Sequence, residues 1–386
     1  MSRSATSSRR DEEPMRLSRK RKAIAAGVAL LGVAAVAVAT SVSLAMADHA
    51  VVDYSGTNAM AKSSCKITAL DGPKGNKEGS VEAVSPSGEY LVGEADGKTG
   101  VWHDDEFTAL GKADLSAVDV NDDGVVAGSG DDGSDREGPW VWSDGKFTNL
   151  EPPKGATNAK ANVTGISADG DVIGNAGTYV DDQSQTADPL LWKMGETKPA
   201  KLKKTKKEAS ANDISADGTI VGSQQNGENG TVVPWVWKGD GAGKRLPKIP
   251  GDDGDDLEAT KISGDFVTAR GGDDFTDTYV WNLSDGTSSK KPFTMTDPTG
   301  VSDTGKLVYG ALIADIESDW DTSYAVIETA KGIEQLPLLV DEEDLGNNTN
   351  GVMSASQDGS LLAGDAWDKT TKHKRAVVWT GCSDPS

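Results

Sequence analysis

The apolar residues of this chain fall into short alternating runs, each opened by a polar turn. Residues 215–237, SADGTIVGSQQNGENGTVVPWVW, show the unit: an Asp-Gly turn, a short apolar strand, a polar loop and a second strand ending on Trp237. Gly after Asp supplies the left-handed position of a tight turn, and the β-branched residues around it predict strands rather than helix.

The turn signal recurs as SPSGEYLVG (85–93), NDDGVVAG (121–128), SADGDVIG (167–174), SADGTIVG (215–222), a shortened SGDFVTA (263–269), SDTGKLVYG (302–310) and SQDGSLLAG (356–364). Each copy is answered by another strand, and six of these place a tryptophan at the equivalent position: Trp102, Trp142, Trp192, Trp237, Trp281 and Trp379. Ile327 takes that place in the sixth copy, and successive positions lie 40, 50, 45, 44, 46 and 52 residues apart. An outer strand follows, as in KFTNL (146–150) and KRLPK (244–248). Four meandering strands per repeat at this period predict an all-β fold, a seven-bladed β-propeller of four-stranded antiparallel blades. One large apolar ring per blade suits packing between neighbouring blades, and that is the role expected for the six tryptophans.

The two ends of the repeat region complete one another. The last copy stops at Cys382, where its outer strand should begin, while KITALDGPKG (66–75) aligns with KFTNLEPPKG (146–155) near the other end. The N-terminal strand is therefore expected to complete the last blade and leave no open edge. Cys65 and Cys382 both fall on the turn position that Gly145 occupies in the second copy. This predicts a Cys65–Cys382 disulfide, which an exporting compartment would favour.

Residues 1–22 form a basic cytoplasmic n-region ending in RLSRKRK, and residues 23–47 run without a charge to Ala45-Met46-Ala47. The pattern reads as a signal peptide with an A-x-A cleavage site, or as an uncleaved membrane anchor just long enough to cross a bilayer. Either way the positive-inside rule sets the remainder outside, secreted or extracytoplasmic and membrane-anchored. Residues 48–63 read as a linker and 64–386 as the propeller.

The full chain carries a formal charge of −22, and beyond residue 47 there are 31 Lys/Arg against 58 Asp/Glu. Such acidity excludes nucleic acid as a partner and disfavours anionic lipid, so contact with membrane is confined to residues 23–47 if they stay uncleaved. Much of the acidity lies in DDGSDREG (131–138), VDDQSQTADP (180–189), GDDGDDLE (251–258), GGDDFTDT (271–278), ADIESDWDT (314–322) and DEEDLGNN (341–348). In a meander these connections share one end of the ring, with KLKKTKKE (201–208) as a basic exception. Trp320 and Trp367 fall in or near them. An aromatic beside carboxylates there would suit a sugar or protein ligand, or equally cover a local apolar patch.

Motifs for chemistry are few. His49, His103 and His373 are the only histidines, none at metal-ligand spacing from another. No HExxH, G-x-S-x-G or phosphate loop occurs. The S-x-D-x-G-x-x-W box of sialidase-type propellers is not matched, because the glycine comes one residue early and the tryptophan belongs to another strand. Asp119-Val120-Asn121-Asp122-Asp123-Gly124 fits the opening of a calcium loop, yet its twelfth position is Gly130 rather than Glu. A hairpin turn is the expected use of those residues, and calcium is the one cofactor the acidic turns suggest.

The pattern A-x-D-I-S-x-D-G-x-I-V-G, followed by G-x-x-P-W-V-W-x-D-G-K-x-x-x-L, resembles the bacterial extracellular HAF-repeat family across residues 65–382. The chain departs from it at Pro234-Trp235-Val236 and Thr278-Tyr279-Val280, where the family name implies His-Ala-Phe. The resemblance implies an exported propeller and no particular activity. The expectation is a monomeric, non-catalytic binding or scaffold propeller that meets an extracellular protein or glycan through its acidic loop face. Two rivals remain: a secreted glycoside hydrolase or lyase with a carboxylate pair at the channel mouth, and a structural envelope protein.

Overall fold

A computed structural model describes residues 61–382, apart from 74–76, 112–114, 132–136, 155–158, 181–182, 204–207, 227–230, 240, 250–255, 272–276, 292–296, 315–321, 330–331 and 342–348. The export segment and most of the acidic connections lie outside the described residues. Among the described residues the regular structure is entirely β, arranged as seven antiparallel sheets. Their innermost strands are Gly79–Val84, Leu115–Val120, Ala159–Ile166, Ala209–Ile214, Glu258–Ser263, Asp297–Val301 and Gly351–Ala355, in blades 1 to 7. Each inner strand touches the next, and that of blade 7 touches that of blade 1, so the ring is closed.

Closure follows the expected route. Lys66–Ala69 pairs antiparallel with His373–Thr380, with Ile67 opposite Trp379, and supplies the fourth strand of blade 7. Cys65 and Cys382 are joined by a disulfide beside this junction, with their Cα atoms 4.5 Å apart. One addition was not legible. Ala61–Lys62, within the stretch read as linker, pairs parallel with Glu334 and Gln335 on the outer edge of blade 6. Blade 6 thereby becomes five-stranded.

The Asp-Gly signals form the hairpins between first and second strands. In blade 4 the Gly218 amide donates to the Ser215 carbonyl at 2.9 Å, with Gly218 at φ 79°. The shortened copy solves the same problem directly after its serine: Gly264, at φ 53°, takes the left-handed position. A side chain is disfavoured there, so the lost residue moved the glycine rather than removing it.

Seven apolar clusters lie among the described residues, one at each boundary between blades. The cluster between blades 3 and 4, for example, joins Ile173 and Leu191 to Ile214, Ile220 and Trp237. A sheet of four strands has two faces to cover, and each blade covers one face of its neighbour. The core is therefore a set of radial seams rather than a single centre.

Candidate functional site

Five of the repeat tryptophans are fully buried in these seams: Trp102, Trp192, Trp237, Trp281 and Trp379. Each indole N–H reaches back to a main-chain carbonyl just past the outer strand of the preceding blade. The acceptors are Asp71, Glu151, Lys203, Pro247 and Pro337, at 2.6 to 3.1 Å. Blade 2 differs. Trp140 is the fully buried ring there, edge-on to Phe147 at 5.2 Å, while Trp142 is part-buried at the rim of the same cluster. The two lie on one face of their strand, two residues apart, so period alone could not choose between them.

The other sequence candidates are dispersed. His103 stacks on Tyr90 with ring centroids 4.2 Å apart, and His373 faces Glu78 at 3.6 Å. Both histidines are well exposed. Trp367 is part-buried on the second strand of blade 7, where its amide donates to Asn350. Trp320 and His49 lie outside the described residues. Asp119 and Val120 end an inner strand, and residues 121–124 form the hairpin turn that follows. Asn121 accepts from the amides of Asp123 and Val125, and Asp122 accepts from the Ser87 amide of blade 1. Among the described residues no three His, Cys, Asp or Glu side chains converge as a metal cluster would.

The arrangement that sequence reasoning missed is on the axis. An inner strand has no partner on its channel edge, so its main-chain groups there need other company. Each inner strand carries a β-bulge at the equivalent place, with register shifts at Glu82, Val118, Thr164, Asn212, Thr260, Thr299 and Met353. A bulge bends its strand and re-aims the side chains beside it. The bulged residues Thr164, Asn212 and Thr299 donate to the carbonyls of Ala211, Ala259 and Val352 on the next blade, at 2.7 to 2.8 Å. The residues just after the bulge accept amides from the next blade: Asp119 from Ile166, Asp213 from Ile262, and Ser354 from Val84.

From blade 1 to blade 7 these post-bulge positions read Ala83, Asp119, Gly165, Asp213, Lys261, Gly300 and Ser354. Those of blades 1, 2, 4, 5 and 7 line a channel cavity of about 100 Å³. A Cβ on Gly165 would meet Ile214 Cγ2 at 3.0 Å and Asp119 Oδ2 and Asp213 Oδ1 at 3.5 Å each, so the glycine leaves a narrow notch between two carboxylates, closed on one side by Ile214. Lys261 Nζ stands 3.8 Å from Asp213 Oδ1 on the other side. Burial, then the charge of Asp213, push Asp119 up to about 7. Burial also raises Asp213, against the pull of Lys261, and burial followed by the Asp213 charge raises Tyr309. Glu82, which lines the same cavity, is raised chiefly by burial.

The two ends of the channel are unlike. At the hairpin end the turns are tied to each other: the Ala168 amide donates to the Ala216 carbonyl, and the Gln357 amide to the Pro86 carbonyl. The Gln357 carbonyl accepts from the Asp303 amide at 2.8 Å and from Ser263 Oγ, two blades away, at 3.2 Å. The strand ends that bracket the acidic connections are at the opposite end. There Asp188 and Asp277 pair with Lys201 and Lys290 at 2.6 Å.

No protein-family model matches the chain, and no curated protein matches it. Solved structures do. A gluconolactonase from Xanthomonas campestris is 13% identical, covering 65% of this chain and 93% of that one, with a TM-score of 0.39. A chain of the mitotic checkpoint complex is 10% identical over 87% of this chain and 97% of that one, at 0.42. A putative TolB from Agrobacterium tumefaciens is 15% identical over 73% of this chain and 100% of that one, at 0.39.

Proposed function

We propose that this chain is an exported, non-catalytic binding propeller of the HAF-repeat kind. It meets an extracellular protein or glycan through the end of the ring that carries the acidic connections. The observation that supports this reading is the sidedness of the ring: hairpins tied across blades occupy one end, and the long acidic stretches join strand ends at the other. Carboxylates in such number favour a partner with basic or cation-bridged groups. Export is supported by the A-x-A pattern at residues 45–47 and by a disulfide in a chain with no other cysteine.

The glycan-cleaving alternative needs two carboxylates with room for a sugar between them. Asp119 and Asp213 flank one notch, but in a cavity of about 100 Å³. Sites for organic ligands run to about 300–1,000 Å³. Both side chains also accept main-chain amides of the next blade, the work of a structural clasp. Binding is therefore the better-supported role.

The test is capture of extracellular proteins and polysaccharides by the purified chain, with and without calcium, against a variant in which Asp252, Asp253 and Asp255 become Asn. Ligand capture that weakens in the variant and with added salt supports the acidic end as the binding face. Capture indifferent to both, or cleavage of any polysaccharide in the panel, overturns the reading.

A further inference from the structure

The seam between blades 1 and 2 departs from the rule that the other tryptophan seams follow. Trp140 fills it, and its buried indole N–H has no acceptor. Trp142, which holds the repeat position, donates its N–H to no carbonyl among the described residues and stays part-buried at the rim. Five seams use their repeat indole as a tie to the preceding blade. This one leaves an indole at the surface.

Other rings collect at the same place. From blade 1, Tyr90 packs on the same apolar cluster, with its ring against the Gly124 turn of blade 2, where a Cβ would come within 2.8 Å. His103 lies flat on Tyr90, the ring planes 6° apart, and keeps 43% of its side chain exposed. From blade 2, Trp142 stands opposite Val126, two residues past that turn, and has Phe147 as its neighbour on the outer strand. Two aromatic pairs, one from each blade, therefore flank the hairpin end of a single seam.

The turns around these rings are acidic. Asp104, Asp105 and Glu106 follow His103 on blade 1, and Asp122, Asp123 and Asp144 stand on two turns of blade 2. All six are exposed, with Lys146 as the one base on the same turns. Aromatic faces under a rim of one sign suit a cation: the ring quadrupole attracts the charge while carboxylates bond it from the side. Arginine suits them best, since a planar guanidinium stacks on an indole and still offers N–H groups along its edge. A neutral sugar would use the rings and leave the charge unanswered.

We propose that the rim of this seam binds an arginine side chain of a basic protein partner, with the guanidinium stacked on Trp142 and its edge bonded to carboxylates of the two blades. The site is at the hairpin end and is separate from the acidic connections at the other.

The experiment is an NMR titration of the purified full chain, isotope-labelled at its tryptophan indole nitrogens, with a hexa-arginine peptide in about 0.15 M salt. Trp142→Phe identifies the Trp142 signal among those of the ten tryptophans. A saturable shift of that signal is expected, with the buried indoles unmoved; a Trp142 signal that stays in place overturns the proposal. Trp142→Ala should weaken the affinity, read by polarisation of the labelled peptide, by about tenfold. Affinity untouched by Trp142→Ala overturns the site and assigns the peptide to the acidic surface at large. N-acetylchitohexaose moving the Trp142 signal as strongly as the peptide overturns it in favour of a glycan. Should Trp142→Ala fail to fold, the exposed pair Asp104→Asn and Asp105→Asn takes its place: weakening by about threefold supports the site, and no change overturns it. The Asp252→Asn, Asp253→Asn, Asp255→Asn variant should keep the Trp142 shift even where it loses other ligands, so failure of the acidic end and failure of this site are told apart.

Discussion

The seams between blades and the channel through them are built from the same strands by opposite physics. A seam is dry and repetitive: a buried indole, aliphatic partners, and one N–H handed to the preceding blade. The channel is polar and individual, with Asp, Gly, Asp, Lys, Gly and Ser at six of seven equivalent positions. Repetition marks what every blade must do to stack. Variation at a fixed position marks where stacking leaves a choice, and here that choice has put two carboxylates on either side of one glycine.

Breaking a seam should cost most. Trp237→Ala removes a fully buried indole and its bond to Lys203, and the expected loss is about 3–5 kcal/mol by denaturant unfolding. An effect below about 1 kcal/mol would mean that the seams relax freely, against the close packing of protein interiors. Replacing Cys65 and Cys382 together by Ala unclasps the junction of the two ends, with an expected cost of about 2–4 kcal/mol under non-reducing conditions. Reductant should reproduce that loss in the parent chain and do nothing to the variant.

The channel should answer to pH instead. Asp119 titrates in the folded chain at about 7 rather than 3.8, so folding favours its protonated form. That contribution is complete below the unfolded value near 3.8 and is lost as pH rises through about 7. Tm should therefore fall between pH 5 and pH 8, and Asp119→Asn should flatten the slope while keeping an oxygen for the Ile166 amide. A slope unchanged by the substitution would assign it to other buried carboxyls such as Asp213 or Glu328. The smallest effect expected is at a clasp: Thr299→Val deprives the Val352 carbonyl of its donor, for about 1 kcal/mol. It is measurable by the same unfolding midpoint.

The blades, the ring closure and the cysteine pair were legible because each rests on a repeated or complementary stretch of sequence. The channel was not. A bulge inserts one residue without changing composition or turn signals, so Ala211-Asn212-Asp213-Ile214 passes for ordinary strand although Asn212 interrupts the ladder. Asp119 was visible only as the first letter of a calcium-loop pattern, and that reading hid its reach to blade 3. The signal was present in the alignment of copies: Asp119, Gly165, Asp213 and Lys261 occupy one column, each followed by Val or Ile. Trp140 shows the other limit, since two tryptophans on one face compete for one pocket and only packing chooses. The pairing of Ala61–Lys62 left no trace at all, being carried by main-chain groups that any residue supplies.

The strand exchange that closes blade 7 also orders events in time. Lys66–Ala69 leaves the ribosome early, and its partner His373–Thr380 comes about three hundred residues later. At elongation rates of about 5–20 residues per second the wait is roughly 15–60 s. Blades 1 to 6 have their four meander strands contiguous in the chain, but the last waits on both ends of the repeat region. A nascent chain is consequently an open crescent with an unpaired edge at each tip until synthesis is nearly done. The ring therefore cannot lock until its last strand has been made.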